Sequence, residues 1–341
     1  MKHFSHVLAL LALAVAPSIT LASVCEDALS TLTATYSSPE TASLLSAIDT
    51  VKAANCSAPT ERVAMGQASA VLAQRAQPHV ASGNFDHAEE ILEKAPALHW
   101  AVQAIRGDIA AKRGAREEAA QMYSAALDTI TDPALTPPDK RLIPVADRIA
   151  RLAQENMMLS GTMSSAVTRG GQASGVLKSA MRGIRIEKAS TPTTTTTAKP
   201  NALATDLYAN APKETYAVAD SVAATVGAVY LPIRFAFGSD QLDHAGEREA
   251  QTVATFLLSN NVYRLSVIGH TDEVGSDASN LDLSIRRAQT VKHFLEAKGV
   301  RASIHVEGKG ESEPPKLVDY TVYSDEERRK IARRVELLLH E

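Results

Sequence analysis

The amino-acid sequence predicts two domains of different class: an all-α, helical-repeat-like N-terminal region and a C-terminal α/β sandwich of βαβαβ type. Three observations carry this reading. From about residue 24 to 160 the apolar residues, mostly Ala and Leu, recur at helical spacing and never alternate long enough for a sheet. From residue 228 onward, short alternating stretches take turns with helical ones, as expected of strands covered by helices. A Thr/Pro tract lies between the two, and 10 of the 15 aromatic residues follow residue 200, so the halves pack by different rules. A length of 341 residues suffices for two domains, and 22% charged residues exclude a polytopic membrane protein. The formal charge of −4, +1 before residue 200 and −5 after it, argues against sequence-independent binding of nucleic acid.

Residues 1–22 read as a secretory signal peptide. Lys2 gives a positive start, and Val7–Ala16 is an apolar run too short to cross a bilayer comfortably. Thr20 and Ala22 place small residues at the −3 and −1 positions of a cleavage site. Cys25 then admits two readings. Leu21-Ala22-Ser23-Val24-Cys25 resembles a bacterial lipoprotein box, whose cysteine is lipidated, but Val24 stands where that box has Gly, Ala or Ser. The alternative is a disulfide between Cys25 and Cys56, which an oxidising compartment permits. It would staple helices at Ala28–Ala34 and Thr41–Ala54 and contribute about 3 kcal/mol. The sequence favours the disulfide.

Residues 24–160 form the helical region. At an offset of 31, Ala76, Gly83, Ala88, Leu92 and Ala95 repeat as Gly107, Gly114, Ala119, Tyr123 and Ala126. Small residues at the first, third and fifth positions let paired helices approach, the glycine turns the chain, and the fourth residue fills the groove. In this order residues 68–133 resemble tetratricopeptide-type repeats, although those have a period of about 34 and Trp100 is offset. An ordinary antiparallel bundle would show the same Ala spacing. Leu142–Met158 reads as a closing helix. On either reading the region offers a binding surface for another protein. His79, His87 and His99 lack metal-ligand spacing.

Residues 161–227 read as a flexible linker. Gly161, Gly170, Gly171, Gly175 and Gly183 interrupt any long helix, and Thr193–Thr197 lie between Pro192 and Pro200. Such a tract cannot bury enough apolar surface to offset its ordering entropy. About 30 flexible residues reach roughly 30 Å, so the two halves are expected to move apart while tethered.

Residues 228–341 form the sandwich. Tyr230–Phe237 is the first strand, with Leu231, Ile233, Phe235 and Phe237 on one face, and Asp243 caps a helix to about Ser259. Arg264–Gly269 is the second strand. Asn280–Lys298 is a helix with Leu283, Ala288, Val291 and Leu295 as its buried stripe, ended by Gly299. Ala302–Glu307 is the third strand, Ser324 and Glu327 form a capping box, and Arg334–Leu339 is a closing strand.

Within this scheme stands Gly269-His270-Thr271-Asp272-Glu273-Val274-Gly275, followed by Asn280, Leu283-Ser284, Arg287-Ala288 and Val291. Phe235, Phe237, Ser239, Leu242, Gly308, Gly310 and Arg333-Arg334-Val335-Glu336 extend the pattern. On these residues the segment from 228 to 340 resembles the OmpA-like peptidoglycan-binding domain of OmpA C-termini, Pal-type lipoproteins and flagellar MotB. The resemblance implies that Asp272 and Arg287 hold the zwitterionic end of meso-diaminopimelate, and that Thr271, Asn280 and Leu283 shape the pocket. The charges fit: a carboxylate faces an ammonium, and a guanidinium grips a carboxylate through two hydrogen bonds. Outside the motif, such an Asp and Arg would read as a surface ion pair. Gly238 departs from the Asp common in relatives, and Ala332 from the usual Asn. His270 lacks ligand spacing with Asp272, His293 or His305, so neither metal nor cofactor is expected.

The expectation is a secreted, non-catalytic envelope protein of a Gram-negative-type bacterium, in the periplasm or at the outer-membrane periphery. Its C-terminal domain would bind peptidoglycan and its helices an unidentified envelope protein, with membrane contact only if Cys25 is lipidated as in a Pal-like lipoprotein. A wall enzyme using the C-terminal part for targeting is the remaining alternative. The helical region offers it no paired carboxylates and no Ser/His or zinc constellation.

Overall fold

The computed structural model describes residues 21–167, 173–181, 227–236 and 238–340. Most of the expected signal peptide, the Thr/Pro tract and Phe237 lie outside them. The chain divides into two compact units, residues 1–68 and 69–341. The division falls within a helix and not in the expected linker.

In the first unit, α1 (Leu21–Ala34) and α2 (Thr41–Ala53) pack through Leu32, Leu44, Ile48 and Val51, all buried. Cys25 and Cys56 are joined in a disulfide with their Cα atoms 5.3 Å apart. The Cys25 sulfur that a lipid would occupy is therefore bonded to Cys56. α3 (Ala58–Ala81) begins two residues after the bridge.

The second unit opens with the rest of α3, followed by α4 (Phe85–Leu92), α5 (Trp100–Lys112), α6 (Arg116–Ile130) and α7 (Ile143–Ser160). Gly83 and Gly114 turn the chain with φ near +80°. A Cβ on Gly107 would lie 2.7 Å from the Tyr123 ring, so the small residue makes room for the large one. The Tyr123 hydroxyl donates to Asp108 Oδ1 at 2.6 Å.

Residues 161–167 and 173–181 differ from the expected linker. Met163, Ala166 and Val167 are buried, as are Val176, Leu177 and Ala180 of a short helix, α8 (175–181). Asp128 of α6 accepts from the Gly175 N–H at 3.1 Å and pairs with Lys178 at 3.2 Å. The frequent glycines hid apolar residues that are spaced well enough to pack.

The sheet has four strands, β1 (Ala228–Leu231), β2 (Arg264–His270), β3 (Ser303–Gly310) and β4 (Val335–His340), in the order β1-β4-β2-β3. β4 runs antiparallel to both β1 and β2, while β2 and β3 are parallel. β1 is shorter than expected because Pro232 has no N–H for the ladder. Ile233 is buried beyond the strand's end, and Phe235 keeps only a bridge to Leu242. α9 (His244–Ser259) is capped by Asp243, whose Oδ1 accepts from Gly246 N at 2.7 Å. α10 (Asp277–Ala297) is capped by Ser276, which puts Asn280 inside its first turn and not at its start. β3 continues to Gly310, past the expected Glu307. α11 (Asp325–Ala332) opens with the expected capping box.

α10 lies directly on β2 and β3. A Cβ on Gly269 would stand 2.1 Å from the Ser284 carbonyl oxygen, and one on Gly308 would stand 2.5 Å from Ser284 Oγ. Only glycine permits that approach. Ser284 Oγ accepts from the Gly310 N–H at 3.0 Å and donates to the Leu281 carbonyl at 2.7 Å.

The helices do not stand apart from the sheet. Gln154 of α7 accepts the edge N–H of Tyr230 in β1 at 2.8 Å. Glu155 accepts from Val318 N–H and from the Tyr323 hydroxyl, both at 2.6 Å. Lys330 donates to the Leu159 carbonyl at 2.7 Å, and Arg116 pairs with Glu327 at 2.6 Å. Met158, Leu159, Leu317, Tyr323 and Ile331 close a small core beneath these bonds. An edge strand needs such cover, and α7 supplies it.

Three outcomes follow. Replacing both cysteines by serine should lower the stability of the first unit by about 3 kcal/mol, read as faster hydrogen exchange in α1 and α2. Glu155 is 1% exposed, and burial raises its pKa above the usual glutamate range. It therefore holds its proton better folded than unfolded. Its contribution is complete below the ordinary value near ~4.3 and falls as pH rises through the raised one. Denaturant unfolding should show that decline in the wild type and not in Glu155→Gln. Glu155→Ala, which strands two buried donors, should cost about 2 to 4 kcal/mol.

Candidate functional site

β2 ends at His270, and the chain leaves the sheet at Thr271, whose N–H donates to the Gly310 carbonyl at 2.9 Å. The next residue is Asp272. Its Oδ1 accepts from the Val274 N–H at 3.2 Å, and its Oδ2 accepts from Arg333 Nη1 at 2.6 Å. Arg333 follows α11 and also donates through Nη2 to Glu326 at 2.7 Å. Burial alone would lower the Arg333 pKa, but the bonds to Glu326 and Asp272 raise it.

Arg287 projects from α10 and is 9% exposed. Its guanidinium lies over the Phe235 ring at 4.9 Å, and Nε donates to the Ser239 carbonyl at 3.1 Å. Gly238, with φ of +63°, makes the turn that presents this carbonyl. The two Nη groups of Arg287 donate to nothing among the described residues. Burial lowers the Arg287 pKa; Asp272 opposes the shift and Arg333 adds to it. Asp272 and Arg287 therefore feel each other without being in ion-pair contact.

Three further residues were expected at the site. Asn280 is buried and donates through Nδ2 to the Asp272 carbonyl at 3.2 Å and to the Glu311 carboxylate, tying down the loop that carries Asp272. Thr271 is also buried, and its hydroxyl has no partner among the described residues. Leu283 is half-buried on α10 and does not line the adjoining cavity.

That cavity has a volume of about 320 Å³. Arg287 lines it together with Phe235, His270 and Arg333, and Met158 and Gly161 at the end of α7 complete the wall. His270 is fully buried, with Nε2 at 3.3 Å from Glu336 Oε1. No group of three His, Cys, Asp or Glu residues among the described residues is placed to hold a metal ion.

Sequence reasoning gave Asp272 and Arg287 the two charges of one zwitterion and did not single out Arg333 as the immediate partner of Asp272. It also missed the roles of Phe235 and Ser239 in holding Arg287. Phe235, Ser239 and Arg333 all belong to the matched pattern, so their positions were visible and their contacts were not. Ala332 offers no side-chain hydrogen bond, and Arg333 and Asn280 hold the loop.

Arg287 on α10 lines a cavity made basic by Arg234, Lys330, Arg333 and Arg334, and Asp272 pairs with Arg333 of that lining. Residues 234–328 match the OmpA family. The peptidoglycan-associated lipoprotein of Pasteurella multocida is 37% identical over 100 residues, covering 28% of this chain and 67% of that protein. Outer membrane porin F of Pseudomonas fluorescens is 37% identical over 92 residues, covering 27% of this chain and 28% of that protein. Among solved structures, the peptidoglycan-associated lipoprotein of Burkholderia pseudomallei matches with 28% identity and a TM-score of 0.27, covering 34% of this chain and 91% of that one. The chain belongs to the OmpA family through its C-terminal domain. It spans 28% of the porin and 42% of outer membrane protein A from Bordetella avium.

Asn280→Ala should release the Asp272 loop. The expected result is a loss of about 1 to 3 kcal/mol, with hydrogen-exchange protection reduced at the Thr271 and Val274 amides and retained in α9.

Proposed function

We propose that the C-terminal domain binds peptidoglycan non-covalently and reads the zwitterionic end of a diaminopimelate-containing stem peptide. One observation carries this reading: Arg287 is buried and fixed through Nε and Phe235, yet neither Nη group has a partner among the described residues, beside a carboxylate it does not touch. Folding has already stripped water from the guanidinium, so a carboxylate arriving at Nη forms a charge-assisted pair with little further desolvation. The ligand's ammonium goes to Asp272, whose oxygens keep lone pairs beyond those used by Val274 and Arg333. The Thr271 hydroxyl has no partner among the described residues, Asn280 steadies the loop, and Leu283, half-buried on α10, contributes shape beside the site and not in the cavity wall.

A relative supports this direction. The Pasteurella protein, 37% identical, is named as peptidoglycan-associated. On this reading the protein is non-catalytic and works in the periplasm or at the outer-membrane periphery. The helical region at residues 24–160 engages another envelope protein. The disulfide favours a form without lipid on Cys25.

Co-sedimentation with purified sacculi tests the site. Asp272→Asn and Arg287→Ala should each cost about 2 to 5 kcal/mol of binding, because each leaves a ligand charge unpaired. If both variants sediment with the wall as the wild type does, the assignment is wrong.

A further inference from the structure

The cavity beside Arg287 holds more positive charge than one zwitterion can match. Lys330 lines it, and its ammonium makes a single hydrogen bond, to the Leu159 carbonyl at 2.7 Å, with no carboxylate partner among the described residues. Two of its three donors have no partner among the described residues. Burial lowers the Lys330 pKa, and the neighbouring charges of Arg234 and Arg333 lower it further. Arg334 is only 4% exposed and lines the same cavity, yet its Nη1 is buried without a partner among the described residues.

Nearby carboxylates are already committed. Asp272 and Glu326 hold Arg333, Glu336 holds Arg334 beside His270, and Asp243 lies 3.3 Å from Arg234. Once Arg287 has taken one carboxylate, Lys330 and the spare donor of Arg334 remain without a carboxylate partner among the described residues. Met158, Pro232 and Ile233 add apolar surface suited to an alkyl group. A wall of mixed alkyl and cationic character suits a short peptide that carries another carboxylate.

We propose that Lys330, with Arg234 and Arg334 beside it, forms a second anion subsite that takes the terminal carboxylate of the same stem peptide. The inference rests on the peptidoglycan reading and extends it. It gives the helical region a part in recognition, since the Leu159 carbonyl orients Lys330 and Met158 closes the wall. A C-terminal carbonyl of α7 is a favourable place for a cation, so Lys330 is held without being neutralised. The ligand then spans two charge readers, Asp272 with Arg287 and Lys330 with its neighbours.

Calorimetry on the full chain separates the possibilities, with three probes: free meso-diaminopimelate, a tetrapeptide stem ending in D-alanine, and the same stem amidated at that carboxyl. The acid should bind the wild type about tenfold or more tighter than the amide, the usual effect of losing a hydrogen-bonded charge. Lys330→Gln should shrink that ratio to about twofold, and Arg234→Gln should reduce it in part. If Lys330→Gln fails to fold, the Arg234→Gln ratio decides. Equal affinity of acid and amide for the wild type, with diaminopimelate still binding, would overturn the second subsite and leave the first intact. Failure of all three probes to bind would remove the peptidoglycan reading, and the subsite with it.

Discussion

The site depends on the absence of two side chains. Gly269 and Gly308 let α10 rest on the backbones of β2 and β3, where any Cβ would meet Ser284 or Ile285. Ser284 fixes the contact through the Gly310 N–H. Residues three and four positions away share its face of the helix, so Asn280 and Arg287 follow from the same contact. Asn280 reaches back to the Asp272 carbonyl, and Arg287 reaches Phe235 and Ser239. A helix displaced by one methyl group would carry both functional side chains away from the strand end. Packing of this kind is unforgiving, because interiors are filled to crystal-like density.

Charge is then arranged by commitment and reserve. Arg333 is spent on Asp272 and Glu326, and Glu336 lies between His270 and Arg334. Among the described residues, Arg287 and Lys330 donate hydrogen bonds to backbone carbonyls alone. A carbonyl holds a cation in place without cancelling its charge, which keeps it available to an anionic ligand. The domain is net acidic beyond residue 200, so recognition rests on local placement and not on bulk attraction.

The covering of β1 by α7 ties this site to the helices. Gln154 and Glu155 would look like the polar face of an amphipathic helix, but both are buried and accept hydrogen bonds from the sheet side. Their burial could not be read from periodicity, because their partners Tyr230, Val318 and Tyr323 lie far along the chain. The same limit explains residues 161–167 and 173–181. Their glycines suggested a linker, while Met163, Val176 and Leu177 find a core only in the folded unit. Element types were legible where a local rule decides them, as with the Asp243 cap and the Ser324–Glu327 capping box. Ends were less legible. β1 stops before Pro232 and α10 starts at Asp277, since ladder pairing and capping compete there with the apolar pattern.

The sequence by itself determined the class of each region, the pairing available to the two cysteines, and the motif running from Gly269 to Val291. These are properties of local spacing and residue chemistry. Only the tertiary structure decided that Arg333 sits between Asp272 and Glu326, that Arg287 keeps its Nη groups open, and that α7 walls the cavity. Each of those depends on bringing together side chains separated by tens of residues or more. Which of several nearby charges become partners is set by distances of an ångström or two, and those distances are fixed by packing alone.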